Sequence, residues 1–190
     1  MIFGVVLCGG ESKRMGSDKG LLSAGNEIWA ERAASKLSKL DIPVILSVNA
    51  AQLEAYGQVF SRHQLIVDSV HARGPLKGLL SVYKAHPHQE ILVLACDMVD
   101  MDLPTLQLLK QTYETKTEAF DYYVYEKDKF IEPLCAIYPA RTLQSLHATL
   151  VSGALPFFSL QQLIAGSNYT SIPITDSQKF TNYNSDNPFV

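Results

Sequence analysis

The chain alternates between short apolar runs and segments with helical periodicity. The runs are "IFGVVLC" (residues 2–8), "IPVILSV" (42–48), "QLIVD" (64–68) and "EILVLACD" (90–97). Runs that are largely apolar and rich in β-branched residues are typical of strands buried on both faces of a sheet. The pattern therefore predicts four strands of a parallel sheet.

Helical patterns lie between these strands. Apolar residues recur at helical spacing in "NEIWAERAASKLSKL" (26–40), with Asn26 as the predicted N-cap, and again in "AAQLEAYGQVF" (50–60) and "GPLKGLLSVYKAH" (74–86). Alternation of strands and helices at this spacing implies right-handed crossovers, with helices on both faces of the sheet. The predicted fold class is α/β, with a doubly wound, mostly parallel sheet.

The pattern changes after the helical segment "LPTLQLLKQTYE" (103–114). The strand candidates "FDYYVY" (120–125) and "FIEPLCAIY" (130–138) are joined by four polar residues, which predicts a small antiparallel excursion at the edge of the sheet. Two further helices, a strand and a polar tail follow. Because no internal repeat, low-complexity tract or linker interrupts the chain, we expect a single domain over residues 1–190.

Composition and charge exclude several functional classes. With 190 residues, 47% of them hydrophobic, the chain can bury a sizeable core without disulfides or structural metals. A net charge of -3 offers no broad attraction to nucleic acid or to a membrane surface. Cys8, Cys96 and Cys135 lack metal-ligand spacing, and the apolar start lacks the cationic region of a signal peptide. We therefore expect a cytoplasmic protein with free thiols.

The loop "GGESKRMGSDK" (9–19) is the first candidate for chemistry. Its glycines let the backbone approach a ligand closely, and Lys13, Arg14 and Lys19 supply positive charge. The spacing fits neither a Walker P-loop nor a GxGxxG dinucleotide turn. From its glycines and cations alone, the loop is equally compatible with a phosphate cradle and with an ordinary solvated loop.

Two aspartates follow apolar strands in the same way. Asp97 comes directly after a buried run, where a carboxylate is costly unless it is solvated, hydrogen-bonded or bound to a metal such as Mg²⁺. The alternative is that Asp97, Asp100 or Asp102 caps the next helix. Asp68 ends the third strand. Because ligands of open parallel sheets bind at the carboxyl ends of the strands, we expect these aspartates and the glycine loop to border one crevice.

At these residues the sequence resembles the molybdenum cofactor guanylyltransferases, the MobA-like nucleotidyltransferases. The matching segments run from residue 3 to about residue 186: "LCGGESKRMGSDKGLL", "DSVHARGPLKGLLSV", "ACDM", "EPLCAIY" and "FTNYNSD". The resemblance implies an enzyme that transfers GMP from GTP to the terminal phosphate of molybdenum-molybdopterin and releases pyrophosphate. It also implies Mg²⁺ as cofactor and molybdenum cofactor delivery proteins as partners.

The resemblance implies roles for individual residues. Arg14, Lys19 and Asp97 take catalytic positions, and Asp97 also binds the magnesium ion. Asn182 and Asn184 match the Asn-x-Asn motif on the acceptor side. The GTP-binding positions of the family correspond to Leu7, Cys8, Gly9, Gly10, Lys19, Asp68 and Asp97. These roles are chemically reasonable, because the acceptor phosphate is already an anion and needs no general base.

Some positions depart from the family pattern. Cys8 replaces a more usual alanine, and we expect its backbone rather than its sulfur to face the nucleotide. Glu132 stands where a polar residue or histidine is common, which adds an anion near the expected path of the acceptor. An asparagine that some members use after the second strand has only Ser47 and Asn49 as weak counterparts.

Two alternative functions remain open at the level of sequence. Relatives with the same opening loop transfer CMP or UMP, so a CTP- or UTP-dependent enzyme acting on a pterin or another phosphorylated acceptor is the first alternative. The Gly-Gly pair and the Gly-x-Asp-Lys ending favour the guanylyl branch. A non-catalytic nucleotide-binding module is the second alternative, and the presence of Lys19, Asp97 and the Asn-x-Asn motif argues against it.

Overall fold

The structure, a computed structural model, describes residues 1–9, 18–116 and 119–183. Within these ranges a seven-stranded sheet forms the centre of the molecule. All neighbouring strands in it are parallel except the two pairs made by β8. In spatial order the strands are β5 (Leu65–Val67), β4 (Val44–Val48), β1 (Ile2–Leu7), β6 (Glu90–Ala95), β8 (Phe130–Tyr138), β7 (Tyr122–Lys127) and β9 (Tyr169–Pro173). This confirms the predicted mostly parallel sheet with a small antiparallel portion.

Helices cover both faces of the sheet. One face packs against α1 (Trp29–Ser38), α2 (Leu53–Gly57) and α4 (Leu103–Thr115), and the other against α3 (Pro75–Ala85), α5 (Ala140–Val151) and α6 (Leu160–Ala165). Because side chains alternate along a strand, Val6 of β1 joins the first core while Val5 and Leu7 join the second. The continuous apolar runs in the sequence reflect this burial on two sides. In the described part of the chain, no helix has both the length and the apolar character to cross a membrane.

Two local predictions are wrong. The β7–β8 hairpin does not lie at the edge of the sheet, because β8 is inserted between β6 and β7, and β9 takes the edge by pairing in parallel with β7. Asn26 does not cap α1 either. It lies in the turn of a two-stranded ribbon, β2 (Ser23–Ala24) with β3 (Glu27–Ile28), and α1 begins only at Trp29. The side chain of Glu31 accepts the Ile28 N–H there at 3.1 Å.

Helix α3 packs unusually close to the sheet at Gly78. A Cβ atom on this residue would lie 2.4 Å from Ser47 Oγ and 3.1 Å from Leu7 Cδ2. We therefore expect Gly78→Ala to lower the free energy of unfolding by about 1–3 kcal/mol, the usual cost of overpacking a core. Urea unfolding measures this change. Gly57→Ala is the matched control, because a Cβ there meets nothing within 4 Å and alanine favours a helix. Equal effects of the two changes would contradict the expectation.

Candidate active site

The carboxyl ends of β5, β4, β1 and β6 meet at one edge of the sheet. Asp68 follows β5, Gly9 follows β1, and Asp97 follows β6. Neighbouring strands are about 4.8 Å apart, so roughly 14 Å separates β5 and β6, the strands that these two aspartates follow. Among the described residues, no three His, Cys, Asp or Glu side chains come together as a metal-binding group. The two aspartates therefore mark separate parts of an elongated site.

Lys19 and Asp97 form an ion pair at this edge, beside the end of β6. The Lys19 Nζ atom donates to Asp97 Oδ2 at 3.3 Å, although the residues are 78 positions apart in the chain. Their side chains are 22% and 16% exposed, so a ligand can reach both. Burial raises the pKa of Asp97, and the positive charge and hydrogen bond of Lys19 partly offset that rise. The pair thus presents an ammonium group beside a partly desolvated carboxylate.

Asp18 fixes the start of the short helix that carries Lys19. It caps the short 3-10 helix that begins with the lysine, since its Oδ1 atom accepts the Gly20 N–H at 3.0 Å. The same oxygen accepts the Tyr56 hydroxyl at 3.1 Å, and Oδ2 accepts Gln52 Nε2 at 2.7 Å. Gln52 also donates to the Cys8 carbonyl oxygen at 3.0 Å, which ties the network to the end of β1. The sequence reasoning missed this network, and the Asp-Lys pair was its only local signal.

Asp68 contacts the start of the glycine loop. A Cβ atom on Gly9 would lie 2.7 Å from Asp68 Oδ2, so this close approach requires glycine. Ser47 Oγ donates to Asp68 Oδ1 at 2.7 Å. Burial raises the pKa of Asp68, while the Ser47 hydrogen bond and the charge of Lys77 lower it. Of the two weak counterparts found in the sequence, Ser47 thus contacts this carboxylate, whereas the Asn49 side chain accepts a backbone N–H in the turn before α2.

The backbone before the glycine loop is already hydrogen-bonded within the protein. The N–H groups of Cys8 and Gly9 both donate to the Ser47 carbonyl oxygen, at 3.0 and 3.1 Å, and the Leu7 carbonyl accepts the Cys96 N–H at 3.2 Å. The side chains of Leu7 and Cys8 are buried. The N–H groups of Cys8 and Gly9 are therefore already used within the protein. The predicted GTP contacts of Leu7 and Cys8 stay predictions, and Gly10 and Arg14 lie outside the described residues.

The C-terminal segment passes beside Asp97. The Tyr183 N–H donates to the Asp97 carbonyl oxygen at 3.1 Å, and the Tyr183 hydroxyl donates to Asp100. The neighbouring Asn182 carries a buried side-chain oxygen, Oδ1, that has no hydrogen-bond partner within the described ranges. The structure thus brings the backbone next to Asn182 to the Asp97 loop from the far end of the chain, whereas Asn184 lies outside the described residues.

Asp102, and not Asp97, caps the following helix. The Asp102 Oδ1 atom accepts the Thr105 N–H at 3.0 Å in the first turn of α4, and Lys179 Nζ lies 2.7 Å from the other carboxylate oxygen. The sequence left open whether Asp97, Asp100 or Asp102 caps the helix, and the structure shows that Asp102 does. Among the residues that the structure describes, Lys19 is the side-chain partner of Asp97.

Glu132 is a second buried carboxylate near Asp97. Leu94 pairs with Cys135 between β6 and the antiparallel β8, so the same register brings Asp97 and Glu132 to one edge of the sheet. Glu132 is only 2% exposed. Burial raises the pKa of Glu132 to about 7, and the negative charge of Asp97 adds to this rise. The Leu134 N–H, which donates to Glu132 at 2.8 Å, opposes the rise. The anion that the sequence suggested on the acceptor side is therefore partly protonated near neutral pH.

This raised pKa predicts a pH-dependent stability. The folded state binds the Glu132 proton more tightly than the unfolded state, with a pKa of about 7 against 4.5, so stability falls as pH rises through that interval. Glu132→Gln keeps the acceptor for the Leu134 N–H and removes the charge. We expect it to raise the free energy of unfolding at pH 8 by about 3 kcal/mol, since one pKa unit corresponds to about 1.4 kcal/mol, and to leave stability at pH 4 almost unchanged.

Urea unfolding of both proteins at pH 4 and pH 8 checks this expectation. Glu54→Gln is the control, because Glu54 is exposed on α2 and its replacement leaves the difference between the two pH values unchanged. A Glu132→Gln protein that is no more stable than the parent at pH 8 would contradict the burial argument.

Comparisons with known proteins identify the family of the chain. The sequence model of the MobA-like NTP transferase domain matches residues 4–164. A probable molybdenum cofactor guanylyltransferase of Methanothermobacter thermautotrophicus is 30% identical over 183 residues, 94% of this chain and 92% of the relative. One from Peptoclostridium acidaminophilum is 26% identical over 180 residues, 93% and 78% of the two chains.

Solved structures share the fold. The molybdopterin-guanine dinucleotide biosynthesis protein A of Archaeoglobus fulgidus superposes with a TM-score of 0.76 and covers 96% of this chain and 92% of its own, at 19% identity. At that identity the likeness supports the fold alone.

Proposed function

The chain belongs to the MobA-like NTP transferase family, and we propose that it transfers GMP from GTP to the terminal phosphate of molybdenum-molybdopterin, which forms molybdopterin guanine dinucleotide and releases pyrophosphate. The observation that carries the proposal is the Lys19–Asp97 pair. It lies at the carboxyl edge of the sheet, between the Gly9–Asp68 contact and the C-terminal segment with Asn182. This arrangement suits a reaction that joins two phosphorylated substrates.

The reaction requires positioning and charge neutralisation more than proton transfer. An anionic oxygen of the acceptor phosphate attacks the α-phosphorus of GTP, the new P–O bond forms, and the bond to the β-phosphate oxygen breaks so that pyrophosphate leaves with the electron pair. No general base is needed, but two polyanions have to be held in line. The Lys19 ammonium group offsets their repulsion and stabilises the negative charge on the departing pyrophosphate.

The residues at the centre of the site fit a divalent cation. Asp97 offers an accessible hard carboxylate, and Asn182 Oδ1 is a buried amide oxygen with no partner in the described part of the chain. Magnesium in nucleotide-dependent enzymes is usually bound through one or two carboxylates together with substrate phosphates and water. We propose that Asp97 holds Mg²⁺, which supplies further neutralisation of the phosphate charges when bound.

The remaining roles follow from position along the edge. Asp68, oriented by Ser47, accepts hydrogen bonds from the nucleoside of GTP. Leu7, Cys8, Gly9 and Gly10 also contact the nucleotide. Arg14 contacts the phosphates, and Asn182 and Asn184 bind the acceptor. Molybdenum cofactor delivery proteins are the proposed protein partners. The free cysteines suit the cytoplasm, where we place the reaction.

Substrate competition tests the proposal. Purified protein is incubated with Mg²⁺, molybdenum-molybdopterin and either GTP, CTP, UTP or ATP, and pyrophosphate release and the dinucleotide product are measured. We expect both with GTP alone. Equal turnover with CTP would refute guanylyl transfer, and the absence of pyrophosphate with every nucleotide would leave the family assignment without this activity.

A further inference from the structure

The loop between α5 and α6 returns to the edge of the sheet that carries the site. Because β8 runs opposite to β6, it ends at the far edge, and α5 leads the chain back along the face that α3 also covers. The loop that follows, residues 152–159, then contacts the segment between Asp68 and α3. It lies beside α6, which packs against β8 on the acceptor side of Asp97.

Both ends of this loop are anchored. Helix α5 ends in a turn in which Gly153 has a φ of 72°, and the N–H groups of Gly153 and Ala154 bond back to the last turn of the helix at 3.1 and 3.0 Å. This is the Schellman arrangement that glycine favours. The Leu155 side chain packs into the core, and Ser159 accepts a backbone N–H as the N-cap of α6. The two residues before Ser159 are therefore held in position.

Those two residues are phenylalanines that face solvent. Phe157 is 47% exposed and Phe158 is 39% exposed. Arg73, in the loop between Asp68 and α3, places its guanidinium carbon 5.8 Å from the centre of the Phe158 ring. No carboxylate of the residues that the structure describes forms an ion pair with Arg73. An anchored loop thus presents two aromatic rings next to a cation whose charge is not neutralised by a described neighbour.

We propose that Phe157, Phe158 and Arg73 bind the pterin end of the acceptor, a planar heteroaromatic ring that carries a phosphate. The phenylalanine rings offer a stacking surface for a flat ring system, and the guanidinium group attracts the phosphate. The surface lies at the same edge of the sheet as Lys19 and Asp97, and it extends from the loop after β5, which carries Arg73, to the start of α6, which packs against β8. This inference rests on the proposed guanylyl transfer to a pterin acceptor and adds the residues that select it.

The position of Arg73 also explains how the two substrates would be brought together. Arg73 and Asp68 belong to the same loop, between β5 and α3, so the loop that contacts the nucleoside also reaches the pterin surface. The three side chains are positioning residues, and their loss is expected to change acceptor affinity far more than GTP affinity.

Direct binding of a phosphorylated pterin tests the proposal. The probe is neopterin monophosphate, whose own fluorescence polarisation reports binding, and unphosphorylated neopterin is the comparison. We expect the double variant Phe157→Leu/Phe158→Leu to weaken binding of both probes about tenfold or more, the size of effect produced by loss of a stacked ring. Arg73→Gln is expected to weaken binding of the phosphorylated probe only. Phe158→Tyr keeps the ring and retains affinity.

Three controls separate this inference from a structural effect and from the proposed function. The thermal shift produced by GTP and Mg²⁺ stays the same in all these variants, and Leu108→Ala, which removes an exposed apolar side chain from α4 on the opposite face, leaves pterin binding unchanged. In turnover assays the KM for the acceptor rises about tenfold in the double variant, while the KM for GTP does not change.

The possible outcomes distinguish the two claims. A wild-type protein that fails to guanylate the acceptor contradicts the proposed function. A wild-type protein that turns over while the double variant keeps its acceptor KM contradicts the pterin surface alone. Absence of neopterin monophosphate binding to the wild type, or an equal loss of GTP and pterin binding in the double variant, also overturns it.

Discussion

Asp97→Ala is expected to reduce pyrophosphate release by about 10³-fold or more, at or beyond the upper end of the cost of losing one electrostatic contact to a transition state. The change removes the carboxylate that we propose holds the metal and that accepts a hydrogen bond from Lys19. It is not expected to unfold the protein. Burial raises the pKa of Asp97, so the ionised carboxylate opposes folding and its removal does not lower the free energy of unfolding.

Asp102→Ala is the matched control on the same loop. Asp102 caps α4 and lies 2.7 Å from Lys179, so its loss is expected to cost about 1 kcal/mol of stability with unchanged turnover. Asp97→Ala should therefore lower turnover without lowering stability, whereas Asp102→Ala should lower stability without lowering turnover. Full turnover by Asp97→Ala, measured with GTP, Mg²⁺ and the acceptor, would eliminate the metal-binding role.

Lys19→Ala is expected to lower kcat about 10²-fold, the loss typical for one preorganised donor to a developing negative charge. The network of Asp18, Gln52 and Tyr56 fixes the backbone of the short helix that begins at Lys19, and Asp97 accepts a hydrogen bond from the ammonium group. The variant should also show a shifted titration of Asp97 in the absence of Mg²⁺. Lys19 lowers the pKa of Asp97 in the metal-free protein, so without it the carboxylate is protonated at higher pH, which an NMR titration measures.

Lys110→Ala serves as the control for loss of a lysine. Lys110 pairs with Glu114 at 2.9 Å on the surface of α4, and a surface pair of this kind contributes little. We expect no change in kcat or in the metal-free titration of Asp97. If Lys19→Ala left that titration unmoved, the proposed electrostatic link between Lys19 and Asp97 would be rejected.

The central strands were predictable because their signal is local. Both β1 and β6 read as continuous apolar runs, since each is buried on two faces, and the structure places them side by side in parallel register. The start of α1 was not predictable in the same way. Asn26 has the chemistry of an N-cap, but the β2–β3 ribbon uses it in a turn and delays the helix to Trp29. Local propensity was overridden there by strand pairing.

The order of strands at the far side of the sheet was likewise not a local property. The polar connection between β7 and β8 correctly predicted an antiparallel pair, yet nothing in those residues indicates that β8 pairs with β6 or that β9 covers β7. Strand order depends on contacts between segments that are distant in the chain. The same order brings Glu132 to the edge near Asp97 and leads α5 back toward the site.

The sequence by itself determined the fold class, the family and the chemical type of the site, because apolar periodicity and the motifs around Lys19 and Asp97 are carried by neighbouring residues. Only the tertiary structure decided which aspartate caps α4, how Asp18, Gln52 and Tyr56 hold the lysine, and that Ser47 contacts Asp68. The physical reason is that these contacts join residues from different elements, and only the packing of the sheet edge places their polar atoms within hydrogen-bonding distance.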